Sequence, residues 1–276
     1  MSNSPDVIII EANQSIKRYW RDLWQYRELF AFLAWRDILV RYKQTVIGVA
    51  WSVIRPVLTM IVFTVIFGKF GKFPSQGAPY AILVFAALLP WQFFANSLSE
   101  SSNSLVGNAN MISKVYFPRM IIPTSSVIVS FVDFLISLFI MGLLMIWYHY
   151  VPGWRLLALP LFMVLLVCGS IGASLWLAAL NVKYRDFRYI VPFIVQFGLY
   201  ISPVGFSSSV VPEKWRLLYS LNPMVGVIDG FRWAILGDNA NLFIPGFIIS
   251  TGVIIMLVVV GAWYFRKTED SFADVI

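Results

Sequence analysis

Residues 243–265 read FIPGFIISTGVIIMLVVVGAWYF, twenty-three positions without a charged side chain. A hydrocarbon core is crossed by about 20 apolar residues in a helix, so this stretch is long enough to span a bilayer. Five others share its character: Val46–Gly68, Tyr80–Leu98, Ile121–Tyr148, Leu156–Leu180 and Ile190–Phe206, the last being the shortest. Lipid-exposed backbone must satisfy its own hydrogen bonds, which favours helices. The sequence therefore predicts an all-α polytopic membrane protein with six transmembrane helices. Composition agrees: 59% of residues are hydrophobic and 13% are charged, against about 25% charged in a soluble domain. Six helices nearly use up the 276 residues and leave no room for a separate soluble domain. The predicted organisation is a cytoplasmic N-terminal segment (1–45), a transmembrane domain (46–265) and a cytoplasmic tail (266–276).

Charge sets the orientation. With the N-terminus in the cytoplasm, fourteen basic residues lie inside: Lys17, Arg18, Arg21, Arg27, Arg36, Arg41, Lys43, Lys114, Arg119, Lys183, Arg185, Arg188, Arg266 and Lys267. Six lie outside: Lys69, Lys72, Arg155, Lys214, Arg216 and Arg232. The positive-inside rule then places both termini in the cytoplasm. The net charge of +7 is not gathered on an independent folded unit, so it points to topology and anionic lipid rather than nucleic acid. Val7–Ile10 is too short for the core of a signal peptide and is flanked by Asp6 and Glu11. Cys168, the single cysteine, lies within a span and His149, the single histidine, ends one, so no disulfide framework and no metal site is expected.

Three connecting segments depart from plain loops. Residues 31–44 form an amphipathic wheel, with Ala31, Phe32, Ala34, Trp35, Ile38, Leu39 and Tyr42 on one side and Arg36, Asp37, Arg41, Lys43 and Gln44 on the other. Leu29, Phe30 and Leu33 fall towards the polar side. This predicts a helix along the cytoplasmic interface, serving as membrane anchor or as a surface for a partner. The loop Ser99–Met120 contains Asn108, Asn110, Lys114, Tyr116, Phe117, Pro118 and Arg119. Asn and Ser there can cap a short helix that Pro118 would end, making a rigid cytoplasmic knob. The external segment Ser207–Leu242 is too apolar for water. Asn222-Pro223 marks a helix start, Gly237 a helix end, and Pro212–Leu221 a second short piece. Two re-entrant or interfacial half-helices are predicted, a conformation tolerated at membrane depth only beside protein or a water-filled cavity. Asn222, Pro223, Asp229 and Arg232 are its candidate gate residues.

The run Trp35–Gly48 continuing to Ala50, Trp51 and Pro56 resembles the permease subunits of type-2 ABC exporters for bacterial surface polysaccharides. So do Asn108–Arg119, Leu180–Arg188, Ser202-Pro203-Val204 and Leu221–Met224. That family carries O-antigen, capsule and teichoic acid chains. The resemblance covers nearly the whole chain after about residue 25. It implies a homodimer of six-span subunits above two ATP-binding subunits in the bacterial inner membrane. It also implies an N-terminal interface helix, a coupling helix between spans two and three, and external gating helices. The implied cargo is a polysaccharide on a polyprenyl pyrophosphate lipid. The shared segments do not identify the polymer.

The residues fit a transport subunit rather than an enzyme. No Gly-x4-Gly-Lys-Ser/Thr pattern occurs: Gly68-Lys69 and Gly71-Lys72 are each followed by Phe. ATP and its magnesium would be bound by a partner, and no cofactor is expected in this chain. Sugar ring faces stack on aromatic rings, which makes Trp51, Phe63, Phe67, Phe85, Trp91, Phe93, Phe94, Phe197 and Tyr200 candidate channel residues. Lipid-facing or interfacial placement competes for each. The planar guanidinium matches phosphate oxygens, so Arg36, Arg41, Lys43, Arg185 and Arg188 could meet a pyrophosphate. Head-group contact is their plainer role. Arg55 and Asp133 lie within spans, where charges pair or face an aqueous cavity. They are expected to pair or to share one polar interior, with snorkelling to the inner surface as the plainer role of Arg55. Gly169, Ser170, Gly172, Ala173 and Ser174 form a small-residue face for close helix packing, within the subunit or at a dimer contact. A lipid or drug permease of the same architecture is the main alternative. An ion-driven secondary transporter would want more buried titratable residues than Asp133.

Overall fold

The computed structural model describes residues 16–43, 46–75 and 77–272. The first fifteen residues, Gln44, Thr45, Gln76 and the last four lie outside it, including parts of the predicted N-terminal segment and tail. Among the described residues every regular element is helical. Two helices, α1 (Ile16–Gln25) and α2 (Arg27–Lys43), precede the apolar region. It comprises α3 (Val46–Phe63), α4 (Tyr80–Gly107), the short α5 (Ala109–Ile112), α6 (Ile121–Trp147), α7 (Leu159–Lys183) and α8 (Phe187–Ile201). The chain then forms α9 (Glu213–Tyr219), α10 (Pro223–Leu236) and α11 (Ile244–Thr268). A π-helical stretch, Thr64–Phe70, extends α3.

Among the described residues, five stretches are long and apolar enough to cross a bilayer: α3 with its π extension, α4, α6, α7 and α11. The expected fifth span, 190–206, differs. Its helix α8 has 15 residues, about 22 Å at 1.5 Å per residue, which is short of a core about 30 Å thick. It stops at Ile201 because Ser202 is extended ahead of Pro203, where the helical region is disfavoured.

Helix α4 is the central post, packed on α3, α6, α7, α8 and α10. It continues nine residues past the expected end at Leu98, through a serine-rich run. Those hydroxyls are absorbed by carbonyls: Ser102 and Asn103 donate to Ser99 O, and Ser104 donates to Ser101 O. Ser101 donates to Pro123 O of α6, while Asn181 and Ser174 of α7 donate to Ser102 O and Ser97 O. A polar extension can therefore be buried between two helices.

The small-residue face of α7 is spent inside the subunit. Gly172 lies against the backbone of α11, where an added Cβ would meet Val258 N at 2.6 Å. Gly169 faces Ile254. Small residues let two helix backbones touch, and dispersion over that contact holds the pair together.

At one end of the bundle, α10 is buried along nearly its whole length. Asn222 Oδ1 accepts from the Met224 N–H at 3.0 Å, Pro223 occupies the first turn, and Gly237 ends the helix at φ +63°. The terminal carbonyls of α10 are met by Tyr150, whose hydroxyl donates to Leu236 O at 2.7 Å, and by Arg155, which donates to Gly237 O at 2.8 Å. A cation at a helix C-terminus also suits the helix dipole.

Candidate functional site

At the opposite end, α2 docks on α6 with its polar side inward. Leu33 and Ala34 are buried, whereas Phe32 and Trp35 are 63% and 61% exposed. Most of the apolar side of the predicted wheel, Ala31, Phe32, Trp35 and Leu39, therefore faces away from the protein, while Ala34 and Tyr42 of that side turn inward. The helix also begins earlier than expected, at Arg27. Its charged residues make the ties. Arg36 Nη2 donates to Asn108 Oδ1 at 3.2 Å and its guanidinium meets Asp37 at 2.7 Å. Arg41 Nη2 lies 2.8 Å from Asp133 Oδ2, an ionic contact without hydrogen-bond alignment. The Tyr42 hydroxyl donates to Asp133 Oδ1. Glu100 stands 3.7 Å from Arg41 on the other side. Lys43 is exposed.

The ion pair of Asp133 thus goes to Arg41 rather than to Arg55, and Arg55 faces the same cavity. That cavity is a cleft of about 400 Å³ between α3, α4 and α6 at the end of α2. Its polar lining includes Arg41, Arg55, Thr59, Gln92, Asn96 and Asp133. Trp51, Leu89, Phe93 and Phe134 make its apolar walls. Asn96 and Gln92 lie one turn apart on α4 and so point the same way. A double-mutant cycle of Arg41→Gln with Asp133→Asn, read by thermal unfolding, should give a coupling of about 1 kcal/mol, the upper range for a partly exposed pair. The Arg55→Gln cycle with Asp133→Asn should give less. Equal coupling in the two cycles would contradict the observed pairing.

A short helix, α5, stands in the loop where the knob is predicted, and it departs from the expectation in two ways. Asn108 holds the N-cap position, but its side chain does not cap the helix. Its side-chain amide instead donates to Ser104 O at 2.8 Å while its oxygen holds Arg36. Pro118 does not end it either. The helix stops at Ile112, and Pro118 O accepts the first hydrogen bond of α6, from the Ile121 N–H. Asn110, Lys114 and Tyr116 are exposed, whereas Ile112 and Phe117 are buried. The buried pair joins a cluster with Tyr19, Leu33, Leu105, Val182 and Phe265, fixing α5 to the ends of α1, α2, α4, α7 and α11.

The segment after α11 seals this cluster. Arg119 Nη1 donates to Glu269 O, Tyr19 donates to Glu269 Oε2 at 2.9 Å, and Arg266 lies 4.6 Å from the Tyr19 ring centre. Glu269 stands past the apolar run of α11. Burial pushes its carboxyl up from the ordinary 4.5 to about 7, with the Asp270 charge adding to this and Tyr19, Arg119 and Arg266 opposing it. A raised carboxyl favours the protonated fold, so its stabilising contribution is full below pH 4.5 and is lost as pH rises through about 7. Amide exchange over 265–272, corrected for intrinsic rate, should therefore accelerate between pH 5 and 8. Glu269→Gln should flatten that rise, and an unchanged slope in the variant would exclude Glu269 as its source.

Arg185 and Arg188 occupy a separate cleft of about 680 Å³ beside α5, with Asn103, Gly107 and Asn181. The five cations considered for a phosphate are thus split, with Arg41 in one cleft and Arg185 and Arg188 in another. The aromatic candidates divide too. Phe63, Phe85, Trp91 and Phe93 are buried in the subunit core, where Trp91 packs on Gly198 of α8 and Phe93 also walls the first cleft. Phe67 lies between Phe63 and Phe73, tilted against the first and edge-on to the second, and Phe94 lies beside Trp91. Trp51, Phe197 and Tyr200 are exposed.

On α8 the exposed set is larger than expected: Tyr189, Phe193, Phe197 and Tyr200 form one stripe, with the Phe193 and Phe197 rings 4.2 Å apart. The sequence reading missed Tyr189 and Phe193, although successive steps of four, from Tyr189 to Phe193 to Phe197, could have found them. It also missed Tyr42, Gln92 and Asn96, which carry no signal until α2, α4 and α6 are assembled. At the α10 end, Arg232 is fully buried and donates to three carbonyls, Leu83 O at 3.2 Å, Phe206 O at 2.7 Å and Val204 O at 2.9 Å. Asp229 lines a cavity of about 260 Å³ with Ser208, Arg216 and Tyr219. The Asn222 side chain, besides capping α10, donates to Ser202 Oγ at 2.9 Å.

Comparison with known proteins matches residues 28–236 to the family described as ABC-2 type transporter. The chain is 29% identical over 250 residues to the O-antigen export system permease protein RfbA of Klebsiella pneumoniae, covering 90% of this chain and 95% of that one. It is 26% identical over 261 residues to the RfbA of Myxococcus xanthus, covering 94% and 99%. It is 21% identical over 240 residues to the capsule polysaccharide export inner-membrane protein CtrC of Neisseria meningitidis, covering 84% and 88%.

Proposed function

The chain belongs to the ABC-2 type transporter family, and from that premise we propose that it is the inner-membrane permease subunit of an ATP-driven polysaccharide exporter. Two copies sit above two ATP-binding subunits, and the cargo is a polysaccharide on polyprenyl pyrophosphate. The names of the relatives support the cargo class. In this assembly α8 is the sixth crossing, completed by the turn after Ile201 and screened from lipid by protein. Both termini, α2 and α5 are cytoplasmic, and α9 and α10 are external.

The observation that carries the proposal is the pair of largely exposed helices α3 and α8. The exposed face of α8 bears the stripe Tyr189, Phe193, Phe197 and Tyr200. A second copy closing on these helices encloses a conduit whose rings stack on sugar faces without gripping single hydroxyls. Force from the ATP-binding subunit enters at the exposed part of the knob, Asn110, Lys114 and Tyr116. It passes through Asn108–Arg36 into α2 and through Arg41, Tyr42 and Asp133 into α6. Because α5 is pinned by Ile112 and Phe117, it moves with its neighbours rather than folding away.

The test is co-expression with an ATP-binding subunit, purification, and assay of ATP turnover and transport with lipid-linked glycan in vesicles. Stimulated turnover and ATP-dependent transport are expected, and Lys114→Glu should keep turnover while losing most transport. Association with no ATP-binding protein would end the proposal. Transport of lipid without glycan would favour the lipid-permease alternative.

A further inference from the structure

The cleft between α3, α4 and α6 contains more polar chemistry than the packing of helices needs. Arg41 and Asp133 neutralise one another at its mouth. Arg55 remains as the charge in the lining that has no carboxylate partner among the described residues. It sits nine residues into α3, on a helix whose other described exposed residues, Ala50, Trp51, Ile54, Leu58, Ile61 and Val62, are apolar. A cation so placed is costly unless water or an anion meets it. Around it stand Gln92, Asn96 and Ser137, neutral groups that can donate hydrogen bonds, while the Thr59 hydroxyl is spent on Arg55 O at 2.8 Å, and among the described residues no second carboxylate lines the space. The walls Leu89, Phe93 and Phe134 are apolar, and Trp51 stands exposed at the rim. One net positive charge, neutral donors and an apolar wall beside an exposed helix match an amphiphile whose head is a phosphate. A neutral sugar would leave Arg55 unmatched. A free anion would leave the apolar wall unused.

We propose that this cleft, within one subunit, binds the phosphate head of a lipid, with Arg55 as its charge contact and Gln92 and Asn96 as donors. That the lipid is the polyprenyl carrier of the cargo rests on the exporter function proposed above. An ordinary phospholipid offers the same phosphate chemistry. The site lies apart from the aromatic stripe on α8, so head and polymer would be held by different elements. The Arg41–Tyr42–Asp133 contact stands at the cleft's edge, where movement of α2 alters access.

The experiment uses the full chain in nanodiscs and measures binding of polyprenyl phosphate, phosphatidylglycerol and inorganic phosphate by native mass spectrometry. Arg55→Gln should weaken lipid-phosphate binding by about tenfold or more, the effect of losing one charge-assisted hydrogen bond. Arg55→Lys should retain most of it, and Lys214→Gln at the far end should change nothing. Asn96→Leu, which keeps the charge, should weaken binding severalfold and serves if Arg55→Gln fails to fold. Preference for polyprenyl phosphate identifies the carrier. Equal binding of phosphatidylglycerol identifies a head-group site. Inorganic phosphate binding as tightly as either lipid, or unchanged lipid binding in both Arg55→Gln and Asn96→Leu, would overturn the proposal. No ATP-binding subunit is needed, so failure of the exporter function and failure of this site are read separately.

Discussion

Arg232→Ala is expected to abolish transport and to lower stability by about 3–5 kcal/mol, the cost of breaking a buried charged network. The side chain ties α10 to two other pieces: Leu83 of α4, and Val204 and Phe206 of the turn after α8. Each hydrogen bond from a charged donor contributes about 1.5–3 kcal/mol, and removing the donor strands buried carbonyls. Water cannot enter easily, since α10 is enclosed by α4, α7 and α11. The turn after Ile201 would then lose its hold on the centre of the bundle. Arg232→Lys should recover only part of the loss, because an ammonium lacks the planar fork that reaches three diverging acceptors. Thermal unfolding of the purified protein in nanodiscs measures the effect. A melting temperature for Arg232→Ala equal to that of the parent would show that these bonds do not hold the α10 end together.

Gly261→Val is expected to destabilise the bundle by more than the usual overpacking cost of about 1–3 kcal/mol. A Cβ at Gly261 would fall 2.1 Å from Gly172 O, and one at Gly172 would fall 2.7 Å from Leu257 C. These neighbours are backbone and cannot rotate aside, so α7 and α11 must separate. Separation forfeits dispersion along the whole crossing, including the contact of Gly169 with Ile254. Gly252→Ala on the same helix is the control, since nothing lies within 4 Å of its added Cβ. It should be neutral or stabilising by up to about 1 kcal/mol, because alanine is the better helix former. Equal melting temperatures for the two variants would refute the close crossing.

Much of the helical layout was legible beforehand, for local reasons. Asn222, Pro223 and Gly237 bound α10 because capping depends on a few consecutive residues. The ends of α4 and α8 were not legible. Ser99–Gly107 looks like a loop until α6 and α7 supply carbonyls and donors for its polar groups. Ile190–Phe206 looks like a span because Val204 and Phe206 are apolar, yet their carbonyls serve Arg232. In the candidate site, Arg55 and Asp133 stood out as charges in apolar runs. Their relation did not, because the residue that pairs with Asp133 lies on α2, 92 positions away in sequence.

The amino-acid order by itself determined that this protein is built of apolar helices, and it located most of them. Burial in lipid depends on the composition of about twenty neighbouring residues, a local property. Only the tertiary structure decided that Arg41 takes Asp133, that the glycines of α7 meet α11, and that Arg55 is left facing a cleft. Ion pairs, hydrogen bonds and backbone contacts act over a few ångströms, so their partners are settled only when distant helices are brought side by side.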